Sequence, residues 1–452
     1  MSAPAEVPLR EAIVVWGRIG LLSFGGPAGQ IALMHRELVE RRRWISDARF
    51  LHALNYCMLL PGPEAAQLAI YIGWLLHRTL GGLIAGVLFV LPGMVTILAL
   101  SIVYVTWGQV PLVGAVFFGL KAAVLAVVVE AVLRIGRKAL KNGLMVAVAA
   151  AAFVAIHAFA VPFPLIVLGA ALFGLFGRWW VPSYFPPASA PAGGAASDYL
   201  IDRLLDAGRL AHTRPSAWNA LSTALCWLAA WWLPVLATIA VAGRGSVLAH
   251  QGVFFSQTAV VTFGGAYAVL AYVAQQAVDH YHWLTAREML DGLALAETTP
   301  GPLIMVVQFV AFLGAFRHQN GIQPMAAGVL GSLLTTWVTF APCFLWIFLG
   351  APYIEALRNN RTLHASLSAI TASVVGVVLN LSVWFTVHTL FADVRERRYG
   401  PLHLQVPNLE SIDWTATVLA ALALLAMLRW RIGLGWTLAA AAVAGALLRW
   451  PG

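Results

Sequence analysis

The sequence predicts an all-α polytopic membrane protein. Its two homologous halves run with inverted topology, and its helices are broken or re-entrant at Gly-Gly-Pro and Pro-Gly-Pro motifs. Three observations carry this: apolar runs that match a bilayer, a repeat at constant spacing, and unequal basic charge in corresponding loops. Of 452 residues, 60% are hydrophobic and 10% charged, and the mean hydropathy is +0.81. Soluble domains hold about 25% charged residues, so a soluble core is excluded. The apolar residues form runs such as Leu83–Val105, Leu144–Phe176 and Ala416–Leu428. About 20 apolar residues cross a bilayer core, and lipid offers no partner for an unpaired backbone group, which favours helices. No strand-like alternation of any length occurs, which sets aside a β-barrel.

The formal charge of +9 sits mostly at the ends of apolar runs. That is the pattern of membrane topology and not of nucleic-acid binding. Cys57, Cys226 and Cys343 lie in hydrophobic stretches without metal-ligand spacing and read as small buried apolar residues. The N-terminus shows no basic region followed by a cleavable apolar core, so no removable signal peptide is expected. The phosphate-binding pattern G-x-x-x-x-G-K-[ST] is missing, so ATP is not expected to drive the chain directly.

The repeat is legible residue by residue. Phe24-Gly25-Gly26 recurs as Phe263-Gly264-Gly265, Trp44-Ile45-Ser46 as Trp283-Leu284-Thr285, and Pro61-Gly62-Pro63 as Pro300-Gly301-Pro302, each 239 residues later. Beyond these, Pro92 matches Pro342 and Lys121–Val129 resembles Thr371–Leu379 at a spacing of 250; the extra residues fit the polar loop around Arg317–Gln323. Residues 1–181 form a first repeat and 246–452 a second. Between them lie a Pro-, Ala- and Gly-rich linker, 182–215, with a short surface helix expected around Tyr199–Leu210, and an unpaired apolar span, 216–245. Duplicated halves with the substrate site at their interface are common in secondary transporters.

One unpaired span would turn the second half over, and loop charge agrees. His35–Arg49 holds five arginines against Glu37, Glu40 and Asp47, whereas its counterpart Gln275–Asp291 has Arg287 alone against Asp279, Glu288 and Asp291. The stretch Arg134–Lys141 is purely basic, while Phe391–Asp413 is mixed. Basic loops stay cytoplasmic, so equivalent loops are expected on opposite sides, with the N-terminus cytoplasmic. Glu11–Ser23, Phe50–Leu60 and Glu64–Leu76 are too short to cross alone. Treated as re-entrant hairpins, they lead to roughly nine spans and four hairpins.

A Pro-Gly-Pro in an apolar run breaks a helix, since proline removes donors and glycine admits unusual backbone angles. Such breaks persist at membrane depth only where protein or a cavity surrounds them. The half-helices that follow present unpaired N–H groups and a positive dipole end, suited to an anion. Helices can start at Glu64 after Pro63, at Leu303 after Pro302, and at Pro27 and Ala266 after the Gly-Gly turns. Four such ends near the midplane could bind a tetrahedral dianion; the alternative is that they are packing kinks. The candidate anion-binding residues are therefore Phe24, Gly25, Gly26 and Pro27, Pro61, Gly62 and Pro63, Phe263, Gly264 and Gly265, and Pro300, Gly301 and Pro302. Asn55, Gln67, Thr298 and Thr299 add neutral hydrogen-bonding groups nearby, as does Gln308.

Ionisable residues within spans are expensive and functional by default. Lys121 is a candidate anion partner or a snorkelling residue. Glu64 and Glu297 flank the two breaks and are proton-coupling candidates, with helix capping the competing role for Glu64. Glu130 reads as a local ion-pair partner. His35, His52 and His77 fall at expected interfaces, and neither a metal site nor a cofactor is predicted.

Phe24-Gly25-Gly26-Pro27, then Trp44, then Asn55–Leu76 strongly resemble the chromate ion transporter family in its long, two-domain form. The stretch Leu60–Gln67 with Tyr71, Gly73 and Trp74 is the most specific part, and Phe263-Gly264-Gly265 and Thr299–Pro302 supply the second-half motifs. The resemblance implies an inner-membrane protein that exports chromate on an ion gradient or membrane potential and confers chromate resistance. Its partners would be chromate or a similar oxyanion and the lipid bilayer, with no nucleic acid; a homodimer stays open. Uptake or exchange of sulfate-like anions is the transport alternative. A membrane-bound chromate reductase is the enzymatic one, disfavoured by the lack of a nucleotide fingerprint, a thiol pair or helical histidines facing one another. Ala266 departs from the pattern, standing where the first half has Pro27, so the two half-sites are not expected to be equivalent.

Overall fold

Long apolar runs punctuated by proline and glycine fold here into helices of very different length. The computed structural model describes residues 7–108, 110–184, 199–207, 210–213, 215–263, 265–318, 321–353, 361–400 and 402–449. The first half contains α1 (Leu9–Leu21), α2 (Gly26–His35), α3 (Asp47–Cys57), α4 (Glu64–Trp107), α5 (Pro111–Ala139), α6 (Gly143–Phe159) and α7 (Phe163–Trp180). Next come α8 (Leu200–Asp206) and α9 (Ala217–Ala242), where the sequence placed the surface helix and the unpaired span. The second half contains α10 (Val247–Val261), α11 (Ala266–Ala274), α12 (Ala286–Thr298), α13 (Val306–Arg317), α14 (Pro324–Gly350), α15 (Arg361–Leu390), α16 (Trp414–Leu428) and α17 (Leu434–Leu448). Among the described residues, five helices are long and apolar enough to cross a membrane: Glu64–Trp107, Pro111–Ala139, Ala217–Ala242, Pro324–Tyr353 and Thr362–Leu390. Exposed tryptophans stand at helix ends (Trp107, Trp180, Trp218, Trp414 and Trp436), as in the aromatic belts of membrane proteins.

The repeat extends to backbone detail. Both α2 and α11 loosen into a wide π-helical turn, Arg36–Arg41 and Gln275–His280, at the same spacing of 239 as the sequence motifs. Arg43 and His282 close these turns with left-handed φ of 54° and 52°. Trp44 N–H then donates to the Leu38 carbonyl and Trp283 N–H to the Ala277 carbonyl, both at 2.8 Å. Non-glycine residues rarely take this conformation, and here the buried tryptophan that follows holds it. The continuous α4 contains a break at His77 and Arg78, where Arg78 has φ 55°. In the second half that break widens into the loop between α13 and α14.

Packing is exchanged between the halves. First-half α5 packs on second-half α16 and α17, while second-half α15 packs on first-half α6 and α7. Small residues make both contacts close. A Cβ at Gly445 would stand 2.5 Å from the Ala115 carbonyl oxygen, and one at Gly174 would stand 2.5 Å from that of Ala365. The extra helix α9 packs on α10 and α14. Its Pro234 cannot donate to the Ala230 carbonyl, and Trp337 Nε1 of α14 donates to that oxygen at 2.8 Å.

The helical architecture holds, with one small addition and one correction. Between the last spans, Val394–Tyr399 and Leu402–Pro407 form a two-stranded antiparallel hairpin, with Gly400 at φ 59° after its first strand. The mixed-charge segment around it is too polar for a span, and Arg, Tyr, Leu and Val within it suit a half-solvated ladder. Cys57 and Cys343 are buried, but Cys226 is exposed on α9, which turns much of its surface outward.

Candidate functional site

The two Pro-Gly-Pro breaks cross at the contact between the halves. Gly62 N–H donates to the Thr262 carbonyl at 2.7 Å, and Gly301 N–H donates to the Ser23 carbonyl at 2.8 Å. Ser23 and Thr262 are themselves repeat equivalents, so each break is tied to the residue before the Phe-Gly-Gly turn of the opposite half. Their hydroxyls make the same bond one turn back, Ser23 Oγ to Ile19 O and Thr262 Oγ1 to Thr258 O, each 2.7 Å. Gly62 has φ 122° and Gly301 φ 100°, conformations that L side chains seldom adopt. Each glycine also abuts the residue that follows the mid-helix proline of the other half. A Cβ at Gly301 would lie 2.9 Å from Gly93 Cα, and one at Gly62 would lie 3.2 Å from Cys343 Sγ.

These bonds alter the anion reading in one respect. The N–H groups of Gly62 and Gly301 are engaged across the interface, so the donors left for a ligand are those of the turns that follow. The helices that open at the breaks, α2, α4, α11 and the turn Leu303–Met305, have no side-chain cap. Elsewhere caps are mixed: α6, α9, α10, α12 and α16 are capped by Asn142, Ser216, Ser246, Thr285 and Asp413, while α1, α3, α5, α7, α14 and α17 also lack a side-chain cap. Uncapped first-turn amides at depth need an acceptor from elsewhere. The break carbonyls are held by buried glutamines: Gln67 Nε2 donates to Pro61 O at 2.7 Å and Gln30 Nε2 to Gly301 O at 2.6 Å.

Most of the predicted residues gather here. Pro61 is half-buried, Gly62 and Pro63 are buried, and Gly301, Pro302 and Thr299 are buried opposite them. The carbonyl of Pro300 lies against Gly93, and Gly265 approaches the Glu64 carboxylate, 3.7 Å from where its Cβ would stand. Glu297 is buried and accepts from Tyr267 Oη at 2.6 Å. Gln308 Nε2 donates to Met94 O at 3.0 Å. Gly25, Gly26, Pro27 and Phe263 are half-buried at the turns, and Gly264 lies outside the described residues. Phe24, Asn55 and Thr298 are exposed, and Thr298 satisfies its hydroxyl within α12. Glu130 pairs with Arg134 as the sequence suggested.

Lys121 has a specific partner. Its Nζ lies 3.0 Å from Asp291 Oδ1, and Tyr104 Oη donates to Asp291 Oδ2 at 2.8 Å. This joins α12 of the second half to α4 and α5 of the first. The Tyr104 ring is edge-on to Phe117 and Phe309, which wall the pair with apolar surface. Sequence reasoning counted Asp291 among loop charges and passed over Tyr104 and Gln30. The available signal was helical phase: Asp291 falls two turns inside a helix opened by the Thr285–Glu288 capping box, and Gln30 is the lone amide in the apolar turn after Pro27.

Residues 10–175 and 250–446 match the chromate transporter family, which skips the linker and α9. The chromate transport protein of Cupriavidus metallidurans is 30% identical over 370 residues, covering 82% of this chain and 80% of that protein. The chromate transport protein of Pseudomonas aeruginosa is 34% identical over 385 residues, with 83% and 81% covered. A probable chromate transport protein of Synechococcus elongatus is 26% identical, with 82% of each chain covered. No solved structure matches this chain. The chain belongs to the chromate transporter family and is a multi-pass membrane protein.

Proposed function

We propose that the protein is a secondary transporter that exports chromate across the inner membrane and so confers chromate resistance. In this reading residues 1–181 and 246–452 are inverted repeats, the linker and α9 account for the reversal, and the N-terminus is cytoplasmic. The observation that carries it is the crossed pair of breaks, which brings uncapped half-helix starts from both halves to one interface. Such ends attract an anion through amide dipoles without a fixed cluster of cations, so the anion can also leave. The relatives named for chromate transport and the arginine-rich His35–Arg49 loop support the substrate and the orientation.

The test is flux in proteoliposomes loaded with chromate or with sulfate, under imposed pH and voltage gradients. Chromate movement that follows the gradient and exceeds sulfate movement is expected. Sulfate movement alone would replace this reading with transport of sulfate-like anions. Reporters fused within 136–142 and 399–409 should lie on opposite sides of the membrane, and finding both in the cytoplasm would remove the inversion.

A further inference from the structure

We propose that Asp291 is a proton-binding group of the transport cycle and that it competes with the oxyanion for Lys121. The inference rests on the reading of the protein as an oxyanion transporter. It starts from the geometry of the pair. Asp291 is 7% exposed and Lys121 20%, so the lysine is partly exposed while the carboxylate is enclosed. The carboxylate holds two partners, Lys121 and Tyr104, both contributed by the opposite half.

The groups around it leave Lys121 as its cation. On its own helix, Glu288 caps Thr285 and pairs with Arg317 of α13. From α4 comes the neutral Tyr104, and from α5 Lys121 itself. The titratable residues of α15, which also packs on α12, stand toward its ends at Arg361, His364 and His388.

An oxyanion drawn to Lys121 must displace the carboxylate. Stripping a buried ion pair of one partner is costly, because a lone charge is left in apolar surroundings. Taking up a proton removes that charge. In balance, the Lys121–Asp291 ion pair, the anion and one proton become a Lys121–anion pair and a neutral Asp291 carboxyl still within reach of Tyr104. Anion and proton binding are then linked, each favouring the other. A dianion moved with one proton carries a single negative charge, and α12 loses its ionic tie to α5 while the anion is bound.

The test is chromate binding at pH 6 and pH 8, read by tryptophan fluorescence of detergent-solubilised protein, together with liposome flux. Wild-type affinity should rise as pH falls, by up to about tenfold per pH unit for one linked proton. Asp291→Asn should bind at both pH values with the affinity the wild type shows at low pH. Protonation of chromate itself is common to both arms and cancels in the ratio. A variant with the wild-type pH ratio overturns the inference. Where Asp291→Asn does not fold, Lys121→Gln with Asp291→Asn, which leaves no lone buried charge, is measured in its place. It should bind weakly at either pH, and strong pH-dependent binding by it also overturns the inference. If the wild type moves sulfate and not chromate, the substrate reading fails, and the same comparison is made with sulfate as the probe.

Discussion

The hairpin α2–α3 and its repeat α11–α12 have the same backbone and different surroundings. Both pairs contain the wide turn, the left-handed residue after it and the inward tryptophan. Yet α12 is buried continuously from Met289 to Glu297 and packs on α5, α13 and α15, while α3 buries Phe50, Ala53, Tyr56 and Cys57 and packs chiefly on α4. The second-half hairpin is closed on the bundle and the first-half hairpin is open. The recurring motifs thus take one backbone geometry at both places, and the contacts around each distinguish them. The Lys121–Asp291 pair belongs to the closed copy only, because its equivalents in the open one are Thr371 and His52, which cannot form such a pair.

The breaks repeat this contrast and supply the largest expected effect. Gly301 faces Gly93 backbone, which cannot move aside, whereas Gly62 faces the side chains of Gln67 and Cys343. Gly301→Ala adds a clash to a strained φ and should cost about 3 kcal/mol or more, seen as loss of folded protein and of flux. A protein that transports normally with this substitution would show that the crossed breaks are not needed for the fold or the path.

The open and closed hairpins can be compared by thiol labelling in a background with Cys226→Ser. Asn55→Cys, on exposed α3, should react with a hydrophilic maleimide about tenfold or more faster than Ala294→Cys at the equivalent buried position of α12. Equal rates would mean that the two hairpins exchange freely at rest. Gly62→Ala should be milder than Gly301→Ala, at about 1–2 kcal/mol, since flexible neighbours can give way. Cys343→Gly should recover part of that loss by removing the thiol at 3.2 Å. No recovery would mean that backbone strain, and not crowding, sets the cost. Smallest is Trp337→Phe, which leaves the Ala230 carbonyl unpaired beneath Pro234 and should lower the thermal midpoint by the equivalent of about 1 kcal/mol. Pro234→Ala in the same chain restores an amide donor to that carbonyl and should cancel the loss.

Much of this was open to reading from residues alone, for reasons particular to membrane chains. The bilayer demands apolar length, so spans declare themselves, and proline and glycine at depth declare the breaks. The hairpin Val394–Pro407 was missed because its alternation is short and its strands carry charge; it lies between spans, where the membrane imposes no pattern. The proposed anion site was legible as four helix starts but not as a geometry. Pairing Gly62 with Thr262, or Gly301 with Ser23, requires knowing how one half lies across the other.

Local chemistry is therefore what the residues settle unaided: where a helix must break, which glycines take left-handed angles, which loops carry charge, and that the pattern occurs twice. Those follow from steric and solvation rules that act over a few residues. Partnership was decided by tertiary packing. Lys121 reads equally as an anion ligand or a snorkelling side chain until α12 brings Asp291 to within 3.0 Å of it. The carbonyls that engage the glycine amides, the Gly93 backbone that rules out a side chain at Gly301, and the burial of one hairpin but not its twin all arise between segments far apart in the chain. A side chain's charge is its own, but whether that charge is available depends on what the fold sets beside it.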